Sequence, residues 1–372
     1  MFFVLDNSLA ENLDDENVIT ALEYIALGRR EGKHLIFSDM KTMKAFATCT
    51  SLTPKACRTY QKILTRLPSK KNSLNTLIRQ VRIVSEDIGI MWRKIGTGKE
   101  IRVSARLIDD SCFIQPAILL CEHENDCELY RKIAEASMKW SNKGKVTVRY
   151  EKRGGGGSTT ADPIYKNIQK ECKRFCLCLC DSDWKYPGGP LGDTAKVLKR
   201  TDKPDEGLCE CKVIEVREIE NLIPTAMFSK VSNPDRIKCI EFLEQLEKSP
   251  IAEARKFIDL KNGLKGKEYY DCYDHNSGYW SNLLNTVRSV QSSDGLINEC
   301  RDNQTCKSPK NCTCSITRGL GEKISEAVVK MLEEESGLKV SEMVDDALKP
   351  YWQEYGELVV AWCCGDMPMV SM

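Results

Sequence analysis

AILLCEHEND at 117–126, KVTVRYEKRGGGG at 145–157 and FCLCLCDSD at 175–183 follow one pattern. Each is a short apolar or alternating run that stops abruptly at acids or glycines. AILLC is too short for a helix and too apolar for a half-exposed strand, so it reads as a strand buried on both faces. FCLCLC reads the same way, with Cys176, Cys178 and Cys180 acting as small hydrophobes on one face. Helical spacing over 125–140, 164–174 and 193–200 separates or follows these runs, and KVIEVREIENLI at 212–223 is a fourth strand candidate. Alternation of buried strand and helix predicts an α/β fold built on a parallel sheet. GGGGS at 154–158 is also the sequence of an engineered linker. Placed between a strand and a helix, it reads as a natural turn where backbones approach closely.

Outward from this centre the chain divides into three regions. Residues 1–110 form a mixed, helix-rich and basic N-terminal domain, with helical spacing over 20–29 and 54–67 and strand candidates at 34–39 and 101–108. Residues 111–230 hold the parallel sheet. Residues 231–372 read as mostly helical, over 235–247, 252–260, 278–290 and 323–337. The charge follows these divisions. The 372 residues carry 55 Lys+Arg against 54 Asp+Glu, a net charge of +1. That balance conceals a basic run at 55–99, opposed only by Glu86 and Asp87, and an acidic one at 322–357. Lys55, Arg58, Lys62 and Arg66 fall on one helical face suited to a phosphate backbone, as readily as to a solvated surface. Arg149 and Arg153 flank the second strand as further candidates.

Acids gather at the predicted strand ends. Glu122 closes the first strand with Asp126 one helical turn on, Asp181 and Asp183 close the third, and Glu218 and Glu220 close the fourth. Parallel sheets place their sites at the carboxyl ends of their strands, so these acids are expected to converge. Clustered carboxylates call for hard cations such as Mg²⁺ or Mn²⁺, which suit phosphodiester chemistry. Solvated strand edges are the plainer reading of the same pattern.

Taken in order, EHEND, the glycines, DSD and EIEN resemble a TOPRIM domain, the catalytic fold of topoisomerases, DnaG-type primases and OLD-family nucleases. EIEN followed by Leu222, Ile223 and Pro224 is most similar to the OLD-like and PARIS-type anti-phage effector branch. The resemblance spans about 115–225, and it departs from the family at His123, where a glycine is common. It implies a central TOPRIM-like sheet and a Mg²⁺-dependent nuclease acting on RNA or DNA as a toxic effector in prokaryotic defence. Glu122 would be a metal ligand or general acid/base, Asp181 and Asp183 metal ligands, and Asp126 and Glu220 (or Glu218) their support. The resemblance also implies a catalytic lysine, for which Lys261 is the first candidate and Lys265 the second. A non-catalytic TOPRIM-like scaffold for an ATPase or nucleic acid is the alternative.

Other motifs are missing or weak. No GxxxxGK[ST] occurs, so the resemblance implies a separate ATPase subunit. No GxSxG occurs, and the three histidines give hydrolase triads little support. Asp6 in VLDNS resembles the first acid of PIN nucleases, without convincing partners. Cys300, Cys306, Cys312 and Cys314 could hold structural zinc, but their spacing lacks CxxC pairs, and free loop thiols are preferred. The opening MFFVLDNSLAEN lacks a basic n-region, and no long apolar span occurs. Nineteen cysteines are then expected as reduced thiols of a cytoplasmic protein without membrane association, and an oligomer is compatible with this composition.

Overall fold

The computed structural model describes residues 1–74, 77–141, 146–265, 279–280 and 318–369, without the side chains of 67–74, 158, 161 and 162. The helix expected over 278–290 and the Cys300–Cys314 thiols lie outside this set, apart from residues 279–280. The protein is mixed α/β with parallel-rich sheets and many helices. It divides into two compact units. The first comprises Met1–Leu179, Val197–Lys212 and Tyr351–Met372, the second Cys180–Lys196 and Val213–Pro350.

The two larger sheets belong mainly to the first unit. One has the order β2-β1-β3-β5-β4, formed by β1 (Phe2–Leu5), β2 (Leu35–Phe37), β3 (Arg79–Val84), β4 (Ile90–Ile95) and β5 (Gly98–Ser104). Its pairings are parallel except for β4 on β5. FFVL is buried at every position, as a strand covered on both faces must be. The N-terminal region thus carries a five-stranded sheet among its helices, where the sequence showed two strand candidates. Between β1 and β2, α1 (Asn7–Glu11) and α2 (Glu16–Arg30) are capped by Asp6 and Asp15, whose carboxylates accept backbone amides. Helix α2 buries Val18, Ala21, Leu22, Ile25 and Ala26, a stripe at helical spacing. After β2 come α3 (Met40–Ala47), capped by Asp39, and α4 (Pro54–Leu74).

The second sheet has the order β10-β9-β6-β8, from β6 (Ala117–Cys121), β8 (Tyr150–Gly154), β9 (Cys176–Cys180) and β10 (Cys209–Val213). β6 pairs in parallel with both β8 and β9. AILLC and CLCLC are buried throughout, as expected. From β6 the chain runs through α5 (Glu124–Trp140) and β7 (Thr147–Val148) to β8 on one side, then crosses to β9 on the other. The winding direction therefore reverses between β6 and β9, the position where open parallel sheets bind ligands.

One expected strand is cut short. β10 stops at Val213, and Ile219–Leu222 is a turn of 3₁₀ helix, so Glu218 and Glu220 do not end a strand. The Asn221 Oδ1 accepts the Glu218 amide at 2.9 Å, curling the backbone, while the Arg217 amide bonds Lys256 O at 2.8 Å instead of a strand partner. The helix expected over 164–174 is also shorter. α6 (Lys166–Glu171) follows a π turn and ends where Cys172 adopts φ 53°.

The first unit is closed by a buried ion pair. Arg29 Nη2 lies 2.6 Å from Asp366 Oδ2, with side-chain exposures of 3% and 9%, and Arg29 Nη1 donates to Met367 O. Asp366→Ala is expected to destabilise the chain by about 3–5 kcal/mol in urea unfolding, because Arg29 is left buried and unopposed. The Arg29→Met, Asp366→Leu double variant should recover most of that loss.

Candidate active site

In the second unit three chain segments are tied together by their main chains. The loop after β9 is fixed to the segment after β10: Ser182 Oγ donates to Val216 O at 2.6 Å and the Asp183 amide to Arg217 O at 2.9 Å. The Ile219 amide donates to Asp181 Oδ1 at 3.0 Å. The third segment runs from Ala252 to Leu264. Asn221 Nδ2 donates to Arg255 O and Ile258 O, and Arg255 Nη1 returns a bond to Asn221 O. Asp259 turns the chain by accepting the Asn262 amide at 2.7 Å and pairs with Arg217 at 3.3 Å.

This frame gathers charge. Lys261 Nζ lies 3.5 Å from Glu218 Oε2 and 3.4 Å from Glu220 Oε2. Burial disfavours that ammonium, but Glu220, Glu218 and Asp181 outweigh burial and hold its pKa well above the ordinary lysine value. Burial pushes the Glu218 carboxyl up to about 7, with Asp259 and Glu220 adding to the rise and Lys261 opposing it. Asp183 is raised by desolvation and restrained by Arg217 and Lys261. It sits at φ 56°, which aspartate tolerates better than most residues, and a Cβ on Gly192 would fall 1.7 Å from its Oδ2. Asp181, Asp183, Glu218, Glu220 and Asp259 thus stand against Arg217 and Lys261.

Glu122 and Asp126 belong to the first unit. The main chain at Glu122 is held by the glycine turn, since Gly155 and Gly156 amides donate to Cys121 O and Glu122 O at 3.0 and 2.9 Å. Gly155 has no room for a Cβ, which would meet Thr160 Oγ1 at 2.0 Å, so the turn is a close approach. His123 has φ −127°, a conformation needing no glycine, and serves as N-cap of α5. Asp126 Oδ2 accepts the His123 amide at 3.0 Å and closes the start of that helix.

The basic candidates divide. Lys55, Arg58, Lys62 and Arg66 are exposed along α4, opposite buried Ala56, Thr59, Tyr60 and Ile63. The two arginines of β3 are already paired, Arg79 with Glu210 and Arg82 with Asp6 and Glu100. Arg153 pairs with Glu151 at 2.8 Å, and Arg149 is exposed between β7 and β8. Arg217, Asp259 and Gly192 were missed by sequence reasoning. Only the acid–x–lysine spacing of Asp259 and Lys261 hinted at the second of them.

A divalent cation suits this set in donor type and in its excess of carboxylate. Glu218 Oε2 and Glu220 Oε2 are buried beside Lys261, and the other Glu218 oxygen lies 4.0 Å from Arg217 Nε. No three His, Cys, Asp or Glu side chains among the described residues are spaced to hold an ion as they stand. No helix among them is long and apolar enough to cross a membrane. Comparison with protein-family models, curated proteins and solved structures returns no match for this chain.

The raised Glu218 pKa has a thermodynamic consequence. Between pH 4.5 and about 7 the folded chain holds a proton that the unfolded chain has released. Its contribution to stability is therefore full below pH 4.5 and is lost as pH rises through about 7. In chelator, Glu218→Gln should exceed wild type by on the order of 2 kcal/mol at pH 8 and match it near pH 4, as read by urea unfolding. Equal stabilities at both pH values would show that Glu218 titrates as an ordinary carboxyl.

Proposed function

We propose that the protein is a metal-dependent nuclease that hydrolyses phosphodiester bonds of RNA or DNA through a TOPRIM-like catalytic region. The observation that carries this reading is the Lys261 ammonium between Glu218 and Glu220, on a frame that also fixes Asp181 and Asp183. A lysine beyond the carboxylate segments is what the resemblance to OLD-like nucleases implies. Excess buried carboxylate is costly without a counter-ion and favours a cation-dependent chemistry over a purely structural role.

Asp181, Asp183 and Glu220 are the residues that would hold Mg²⁺ or Mn²⁺, and Glu122, following β6, is the first-strand acid of the same reading. When bound, such an ion activates water and stabilises a leaving oxygen. The chain's own groups supply the rest. Lys261 stays charged across the physiological range and can meet a phosphate oxygen. Glu218, with a pKa near 7, can accept and return a proton at neutral pH. The exposed basic face of α4 offers a sequence-independent grip on a nucleic-acid backbone. In the same reading the activity belongs to a toxic anti-phage effector that works with a separate ATPase subunit.

A non-catalytic scaffold is the second reading, favoured by the absence of three suitably spaced metal-ligand side chains among the described residues. Incubation with labelled RNA, single-stranded DNA and plasmid, in Mg²⁺, Mn²⁺ or EDTA, separates the two. Cleavage should require the metal and fall at least about 100-fold in Asp181→Asn, Lys261→Ala and Glu122→Gln. Wild-type protein that binds these substrates but never cuts them would make the scaffold the correct reading. Replacing Lys55, Arg58, Lys62 and Arg66 with glutamine should weaken binding and lower the salt slope by up to about 3.

A further inference from the structure

The first sheet has a cleft of its own. Its winding direction reverses between β1 and β3, because the chain passes from β1 to β2 on one side and then to β3 on the other. At the carboxyl ends of β1 and β2 lies a cavity of about 540 Å³, within the range that holds a small organic ligand. Val4, Leu5, Phe37 and Ala45 give it an apolar floor, in which Phe37 is half-buried and offers a ring face. Asp6, Glu11 and Asp39 line it with Lys41 and Arg82, three acids against two bases.

The chemistry of the lining narrows the ligand. A phosphate needs unanswered amides or spare cations, and both are scarce here. The Asp6 carboxylate accepts the Ser8 amide, and that of Asp39 accepts the Thr42 amide and hydroxyl, so both adjoining helix starts are closed by anions. Arg82 is engaged with Asp6 at 3.2 Å and Glu100 at 2.9 Å. A flat ring with neighbouring hydroxyls fits better. In the dinucleotide-binding doubly wound sheets an acid after the second strand accepts ribose hydroxyls, and Asp39 stands two residues beyond the end of β2. Hydrogen bonds from Thr42 and nearby amides outweigh desolvation and lower its pKa, so it is a charged acceptor at neutral pH.

From these features we infer that the cavity binds a ribonucleoside, its base over Phe37 and its ribose hydroxyls on Asp39, without a phosphate subsite. The full chain is titrated calorimetrically with adenosine, guanosine, cytidine and uridine, their 2′-deoxy forms and their 5′-monophosphates. At least one ribonucleoside should bind with Kd below about 1 mM, and its deoxy and phosphorylated forms about tenfold more weakly. Asp39→Asn keeps an oxygen for the Thr42 amide but loses the carboxylate that accepts the Thr42 hydroxyl, so the chain should stay folded with a small fall in Tm while binding weakens about tenfold. Ala45→Phe fills the floor and should abolish binding, with Tm measured alongside. The inference is overturned if no ribonucleoside binds at about 5 mM. It is equally overturned if the monophosphate binds as tightly as the nucleoside, or if Asp39→Asn keeps wild-type affinity.

Discussion

Lys261 holds its ammonium where burial alone would lower its pKa, and the candidate site in the second unit is arranged around what keeps it charged. Glu218 and Glu220 stand within 3.5 Å of the nitrogen, and Asp181 adds to the field. Holding these acids together is costlier without the lysine, since neighbouring carboxylates raise one another's pKa. Glu218 shows the tension directly: even with Lys261 beside it, burial and the nearby Asp259 and Glu220 lift its carboxyl to about 7. A group poised at that value can be charged or neutral at little cost, the property that proton-transfer chemistry uses.

The charges can be held so closely because the segments that carry them are fixed by hydrogen bonds to main-chain groups. Ser182, Asp183 and Asp181 are each bonded to the stretch from Val216 to Ile219, and Asn221 and Arg255 bind the third segment by reciprocal contacts. Each bond is worth only about 1 kcal/mol net, yet each also answers a buried polar group that would be expensive to leave unmade. The left-handed Asp183 and the missing Cβ of Gly192 belong to the same arrangement, because a side chain at 192 would displace the carboxylate.

The strands of the second sheet were legible because their residues are buried on both faces, and burial writes itself into sequence as an unbroken apolar run. AILLC and FCLCLC could hardly be anything else. FFVL carries the same signal in a form too short to be read, and RQVRIV and IMWRKI mix basic residues into their runs; all three escaped notice. The charges of RQVRIV are accommodated by pairing: Arg79 with Glu210, and Arg82 with Asp6 and Glu100. EIEN was misjudged for another reason. Its alternation looks extended, but the Asn221 side chain captures the Glu218 amide, a competition that periodicity cannot display. Lys261 was nameable only through resemblance, since nothing in local spacing says that residue 261 returns to residues 218 and 220.

An acid placed after a strand has two physical fates, and this chain contains both. Asp6, Asp39 and Asp126 spend hydrogen-bonding capacity within three or four residues, on the amides of the helices they begin. Asp181 instead accepts an amide 38 residues away, and Glu218 and Glu220 face a lysine more than 40 positions on. The local fate follows from helix capping and stabilises whichever fold contains the turn. The distant fate brings separate segments together and concentrates like charge, a costly arrangement. In sequence both look the same, an aspartate or glutamate closing an apolar run. What separates them is whether a helix begins at once: the amide of Ser8, Thr42 or His123 answers the acid locally, whereas after Cys180 no helix starts until Asp193. In the second sheet a strand-end acid with no helix to cap is therefore the better starting point for locating charge and proton chemistry, and it selects Asp181 and Asp183 over Asp126, whereas a capping acid such as Asp39 keeps only spare lone pairs for a neutral hydroxyl.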